Sequence, residues 1–352
     1  MRPSTPFASV VLLTPSSRCP AIAAFCLLLC VLAGFINPAA ARAADKQPET
    51  FTYRTVGDLE IQADVYRPPA PPAESPSAGK LRPVVVWIHG GALILGNRKG
   101  ISREVIDPLL EAGVVVVSID YRLAPEVKLP EIISDVEAAF RWIREQGPEL
   151  FQGDPKRVAV IGGSAGGYLT LISGYRVEPR PVALVPLWGY GDLLGDWLSK
   201  PSPHARHRRL ELDREAAWQQ VAGDPVADAS LRKENAAGFY FWCRRTGGWP
   251  LAVSGWDPAA EARKYVPYMP VKNVTAEWPP TLMIHGTEDT DVPVEQSRLM
   301  VEQFAKHRVS HRLLEVVGAE HGLAGAKPEQ FVEARQAAIS FLLQNLGVAQ
   351  KE

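Results

Sequence analysis

Five apolar runs, each closed by glycine or a polar residue, set the tightest limit on how this chain can fold. They are PVVVWIHG from Pro83, GVVVVSIDY from Gly113, RVAVIGG from Arg157, PVALVPLWG from Pro181 and PTLMIHG from Pro280. They are continuous, not alternating, so each predicts a strand covered on both faces. The intervals carry helical spacing. SREVIDPLLEAG begins at Ser102, and EIISDVEAAFRWIREQG, from Glu131, repeats Ile133, Val136, Phe140 and Ile143 on one helical face. Strand–helix alternation predicts an α/β fold, with a mostly parallel central sheet and helices on both faces. After PTLMIHG the rhythm continues with a helix in VEQSRLMVEQFAKH, a strand in HRLLEVV and a last helix ending near Leu346.

Two stretches depart from this rhythm. FTYRTVGDLEIQADVYRP, from Phe51, alternates apolar and polar residues around Gly57-Asp58 and predicts an opening hairpin. The PPAPPAESPSAGK segment after it has no hydrophobic period and is expected to be an exposed loop. Residues 188–278 hold no clear strand but carry Trp188, Trp197, Trp218, Trp242, Trp249, Trp256 and Trp278. A long insertion between the last core strands is expected to be a cap, and such loops carry function. Its tryptophans either meet substrate or form the insertion's own core.

The N-terminus predicts export. Arg2 and Arg18 flank the start of an apolar run, Ala21 to Ile36, and Ala41-Arg42-Ala43 fits a small-residue cleavage site. The expectation is a signal peptide over 1–43, a domain over 44–352 and a periplasmic or extracellular location, with no stable membrane insertion after cleavage. A retained N-terminal anchor is the alternative, though the run is short beside the roughly 20 residues of a spanning helix. Cys19, Cys26 and Cys30 lie in that segment, which leaves Cys243 alone in the domain and rules out an internal disulfide there. A formal net charge of −1 gives no reason to expect nucleic acid as a partner. Nothing in the sequence sets an oligomeric state.

The chemistry concentrates at a few of these strand ends. Gly162-Gly163-Ser164-Ala165-Gly166 fits G-x-S-x-G between a buried strand and an apolar helix. A serine hydroxyl must project clear of the sheet to act as a nucleophile, and a tight strand–turn–helix with glycine neighbours allows that. WIHGGALILGNR, from Trp87, follows an earlier buried strand; Gly90 and Gly91 let backbone N–H groups come close to a substrate oxygen. His89 is expected to brace that loop. HGTEDTDVP offers Asp289, Asp291 and Glu288 as acids at a strand end, one of which is expected to cap the following helix, Asp291 being the candidate. The base must be a histidine, since imidazole both accepts and returns a proton near neutral pH. His321, in VVGAEHGLAG, lies between the last strand and the last helix and completes a Ser…Asp…His order. His285 is expected to be packed. His204 and His207 sit among arginines, where a solvated basic face is expected and a metal site is not.

HGGA, YRLAPE, GGSAGG, GTEDTDVP and EHG occur in one order along the chain. In this it resembles the α/β-hydrolases, and within them the hormone-sensitive-lipase-like and feruloyl-esterase-like carboxylesterases. The resemblance covers roughly Phe51 to Leu346 and is weakest across the tryptophan-rich segment. It implies an α/β-hydrolase fold, with Ser164 as nucleophile, Asp289 as the acid and His321 as the base. It also implies an oxyanion hole from the N–H groups of Ala165 and of Gly91 or Ala92. Lipase-like members often read H-G-G-G, whereas Ala92 stands fourth here, which keeps the backbone donors but alters the acyl pocket. The implied activity is a cofactor-free, metal-free serine carboxylesterase acting on small, carbohydrate or aryl esters. An exopeptidase or amidase on the same scaffold is the rival reading; a non-catalytic binding protein is the remaining one.

Overall fold

A computed structural model describes residues 47–70 and 79–349. The export segment expected over 1–43, and most of the proline-rich loop, lie outside the described residues. The strands are β1 (Glu49–Val56), β2 (Leu59–Tyr66), β3 (Arg82–Ile88), β4 (Val115–Ile119), β5 (Gly153–Gly163), β6 (Leu184–Leu187), β7 (Thr281–Gly286) and β8 (His311–Val316). The helices are α1 (Arg103–Glu111), α2 (Leu129–Glu145), α3 (Gly147–Phe151), α4 (Ala165–Arg176), α5 (Asp196–Ser199), α6 (Arg214–Gln219), α7 (Ala237–Thr246), α8 (Trp249–Ser254), α9 (Ala262–Tyr265), α10 (Glu295–His307) and α11 (Pro328–Asn345).

All eight strands join one sheet in the order β1-β2-β4-β3-β5-β6-β7-β8. The β1–β2 hairpin and the β2–β4 pair are antiparallel; every other neighbouring pair is parallel. Alternate residues of each central strand enter different cores. Val84, Val86 and Ile88 of β3 enter the core that buried residues of α2, α4 and α10 share, while Val85 enters the one shared by α1 and α11. Ala159 and Ile161 of β5 take the second side, Val158 and Val160 the first. Apolar residues at every position are therefore what a strand between two helical layers requires.

The predicted amphipathic face of α2 is buried as expected. Ile133, Val136, Phe140 and Ile143 all pack in the first core. Phe140 has no exposed surface. Phe140→Ala should leave a cavity and cost about 3–5 kcal/mol. A urea titration of the two proteins would read this as a lower midpoint with an unchanged slope.

Candidate active site

Ser164 stands where β5 turns directly into α4, with φ 57° and ψ −119°. A non-glycine residue held at such angles stores roughly 1–3 kcal/mol of strain, and the surroundings must enforce it. They do so from both sides: the Ser164 N–H donates to the Leu187 carbonyl at 2.9 Å, and the Ser164 carbonyl accepts from the Tyr168 N–H at 2.9 Å. The turn also needs α4 to lie against the end of β3. At Gly166 a Cβ would come within 2.0 Å of the Ile88 carbonyl oxygen, so only glycine fits. The free N–H groups at the start of α4, and its positive end, then face the serine.

Two loops bring the partners in. His321 follows β8, and its Nε2 lies 3.1 Å from Ser164 Oγ. Its Nδ1 lies 2.8 Å from Asp289 Oδ2. Asp289, in the loop after β7, can only accept there, so Nδ1 carries the proton and Nε2 is left to accept from the serine hydroxyl. The other Asp289 oxygen accepts from the N–H groups of Asp291 (2.9 Å) and Val292 (2.8 Å). His285 lies beneath, fully buried as expected. It bridges Ser297 Oγ and the Val292 carbonyl, with Nε2 3.3 Å from Asp289 Oδ2.

Burial alone would raise the Asp289 pKa, but hydrogen bonds from His285 and His321 outweigh it and hold the carboxyl at about 2. A depressed carboxyl stabilises the fold when ionised. That contribution is complete above the ordinary value of 3.8 and is lost as pH falls towards 2. It amounts to about 2–3 kcal/mol. Unfolding free energies of the parent should therefore fall by about that much more than those of Asp289→Asn between pH 4.5 and 2. Parallel acid profiles for the two proteins would contradict the assignment.

The HGGA loop closes the other side of Ser164. A Cβ on Gly90 would come within 2.8 Å of the Gly163 carbonyl oxygen, which shows how closely the loop lies on the serine turn. Gly91 (φ 111°) and Ala92 (φ 57°) form a tight turn whose Gly91 carbonyl accepts from Ile94 and Leu95. Trp249 Nε1 donates to the Ala92 carbonyl at 2.9 Å. The Ala92 and Ala165 N–H groups meet no acceptor among the described residues. His89 braces the loop as expected: Nδ1 donates to the Gly90 carbonyl at 2.7 Å, and the ring stacks on Tyr121 at 4.3 Å. Burial pulls its pKa down to about 4, so the ring is neutral near pH 7.

Asp291 differs from the expectation. It does not cap α10, whose first turn has no side-chain cap at Val294. Its carboxylate turns inward and accepts from His207 Nε2 (2.9 Å) and from the Tyr240 hydroxyl. Arg206 and Arg244 lie 3.6 and 3.7 Å from it. Arg206 also pairs with Glu320 at 2.6 Å, and Glu320 accepts from the His321 N–H at 2.7 Å. The basic run is therefore not a solvated face. Arg208 and Arg209 are exposed, but His207 is fully buried and Arg206 clamps the loop that carries His321. The contacts of Arg206 and His207 with Asp291 and Glu320 join residues more than 80 positions apart, and no local pattern announces them.

The tryptophans divide. Trp188 packs edge-on against His321, and Trp197 and Trp249 border the space over Ser164. Trp218 and Trp242 pack with Phe239, Trp256 with Tyr265 and Tyr268, and Trp278 with Tyr175 and Phe304. Residues 188–278 hold no strand, only short helices. Two cavities meet at Ser164. One, of about 330 Å³, is mainly apolar and runs past Trp188 and Leu323 to Phe331 and Ile339. The other is narrow and of mixed lining, between Ala92, Tyr190, Trp197 and Arg244. Cys243 is buried and burial pushes its thiol pKa upward, which leaves it inert.

A strained serine between a parallel strand and a helix, with a histidine and an acid on the next strand-end loops, defines the α/β-hydrolase class. Comparisons agree. The BD-FAE family matches residues 64–182, which include Ser164, and the prolyl oligopeptidase family matches residues 219–349, which include Asp289 and His321. Esterase LipC of Mycobacterium tuberculosis is 30% identical over 257 residues, 69% of this chain and 53% of that protein. Non-reducing polyketide synthase adrD of Penicillium rubens is 28% identical over 316 residues; the match takes in 78% of this chain but only 12% of the synthase. A Staphylococcus aureus protein of unknown function superposes with a TM-score of 0.66 at 22% identity, covering 85% of this chain and 99% of that one. Esterase 2 of Thermogutta terrifontis, phosphorylated by paraoxon, gives 0.59 at 20% identity, with 87% and 96% coverage. By its fold, and by these two family matches on either half of the site, the chain belongs with the α/β-hydrolases.

Proposed function

We propose that this protein is an exported serine carboxylesterase working through an acyl-enzyme. The observation that supports this most is the continuous chain from Ser164 Oγ through His321 to Asp289, at 3.1 and 2.8 Å. His321 Nε2 takes the hydroxyl proton as Ser164 Oγ bonds to the ester carbonyl carbon. The N–H groups of Ala165 and Ala92 hold the oxyanion, with Gly91 shaping the turn that presents Ala92. His321 then gives its proton to the departing alkoxide as the carbonyl carbon–oxygen bond breaks. Water, deprotonated in turn by His321, cleaves the acyl–Oγ bond and restores the serine. Asp289 fixes the Nδ1–H tautomer and offsets the charge on the imidazolium. No step calls for a metal or an organic cofactor, and the substrate is a small ester. Residues 188–278 serve as its cap. Export rests on the N-terminal pattern alone.

The test is covalent labelling with a fluorophosphonate, mapped by mass spectrometry, alongside hydrolysis of 4-nitrophenyl acetate and of aminoacyl anilides. The expected result is a single adduct on Ser164 and turnover of the ester alone. Faster cleavage of the anilides would replace an esterase with a peptidase.

A further inference from the structure

The narrow cavity beside Ser164 is lined by three side chains that each carry a buried hydrogen-bond donor with nothing to bond. Tyr190 Oη, Trp197 Nε1 and Arg244 Nε are all buried and have no partner among the described residues. Tyr190 and Arg244 are each 3% exposed. The three border the same space, together with Ala92 and Ser164. An indole N–H and a guanidinium N–H can only donate, and burial pushes the Tyr190 hydroxyl well above the usual phenol range, so it stays protonated. Each buried donor left unpaired is destabilising, and three round one cavity mark a place built for an acceptor. The space takes about one water-sized sphere, which suits a single oxygen atom and not a chain.

The acceptor must be neutral. Arg244 and Arg206 are already matched by Asp291 and Glu320, at 3.7, 3.6 and 2.6 Å. Burial lowers the His207 pKa, and Asp289 adds a further negative charge nearby. A carboxylate entering here would meet no unmatched cation among the described residues that line it. The leaving alcohol has the other cavity: residues Gly322 and Leu323, next to the histidine that must protonate it, line the larger apolar space. The narrow space therefore falls to the acyl side.

On the esterase reading above, we propose that the enzyme is selective for short 2-oxygenated acyl groups, such as 2-hydroxyacyl esters, whose extra oxygen accepts from Tyr190, Trp197 and Arg244. The reaction releases the alcohol and a 2-hydroxy acid, with one water consumed. A site that hydrogen-bonds a substrate oxygen discriminates strongly against the methylene or methyl isostere, because its donors are left unpaired.

The experiment compares 4-nitrophenyl glycolate with 4-nitrophenyl propionate, which differ by a hydroxyl in place of a methyl. Each kcat/KM is divided by the measured hydroxide rate constant of the same ester, to remove the intrinsic reactivity of the glycolate. We expect the glycolate to be favoured about 10- to 100-fold, as two or three hydrogen bonds would give. In a Tyr190→Phe/Trp197→Phe variant, which removes both donors and keeps an aromatic ring at each position, the ratio should fall towards one. A parent ratio near one, or a ratio unmoved by the double substitution, overturns the proposal while leaving the esterase intact. Hydrolysis of neither ester, with no fluorophosphonate adduct on Ser164, overturns the esterase reading and this one with it.

Discussion

Ser164→Ala is expected to fold like the parent and to lose about a million-fold in kcat, leaving a residual rate above that in water. The size follows from how the site divides its labour. Oγ is the only atom that can form the covalent bond, and His321 Nε2 is aimed at it from 3.1 Å. With Oγ gone, His321 and Asp289 have nothing to activate in the acyl-transfer step. What survives is the pocket and the backbone donors of Ala92 and Ala165, and these can still favour attack by water. Folding should be spared, because alanine keeps the Cβ and the backbone bonds to Leu187 and Tyr168 that hold the turn. Steady-state turnover of 4-nitrophenyl acetate, with circular dichroism and a thermal melt as controls, makes the comparison. A folded variant within a hundredfold of the parent would end the acyl-enzyme mechanism.

The sheet and its helices could be foreseen because buried parallel strands and amphipathic helices write different periods into a sequence. Runs such as Val84–Ile88 are apolar at every position because their two faces enter two cores. The meeting of Ser164 and His321, 3.1 Å apart, could be foreseen because the turn and the chain order of the motifs both point to it. Asp289 could be separated from Asp291 only by resemblance, since both sit at the same strand end and differ in what folds against them. The inward turn of Arg206 and His207 was illegible. A run of basic residues predicts solvent exposure, and only Asp291 and Glu320, supplied from far along the chain, reverse that. The same holds for the tryptophans: spacing does not distinguish Trp197 over the serine from Trp218 packed on Phe239.

The two aspartates of the β7 loop should fail in opposite ways. Asp289→Asn is expected to lower kcat about ten-thousand-fold with little loss of stability near neutral pH beyond the roughly 2–3 kcal/mol contributed by its ionised carboxylate. The asparagine oxygen can keep the bonds from the Asp291 and Val292 N–H groups, so the loop holds its shape. Its NH₂ then faces His321 Nδ1, and a donor there forces the proton onto Nε2. The imidazole can no longer accept from Ser164. Asp291→Asn works on a different structure. It removes the charge shared by Arg206, Arg244 and His207 in a buried cluster, and breaking such a cluster costs about 3–5 kcal/mol. Its nearer oxygen is 3.8 Å from His321 Nε2, too far for a hydrogen bond, so kcat should drop far less than for Asp289→Asn. Measuring kcat and the urea midpoint for both variants separates the roles. If Asp291→Asn instead loses four orders of magnitude in rate while Asp289→Asn stays active, the acid of this site is Asp291, and the geometry at Nδ1 is not the one in which the enzyme works.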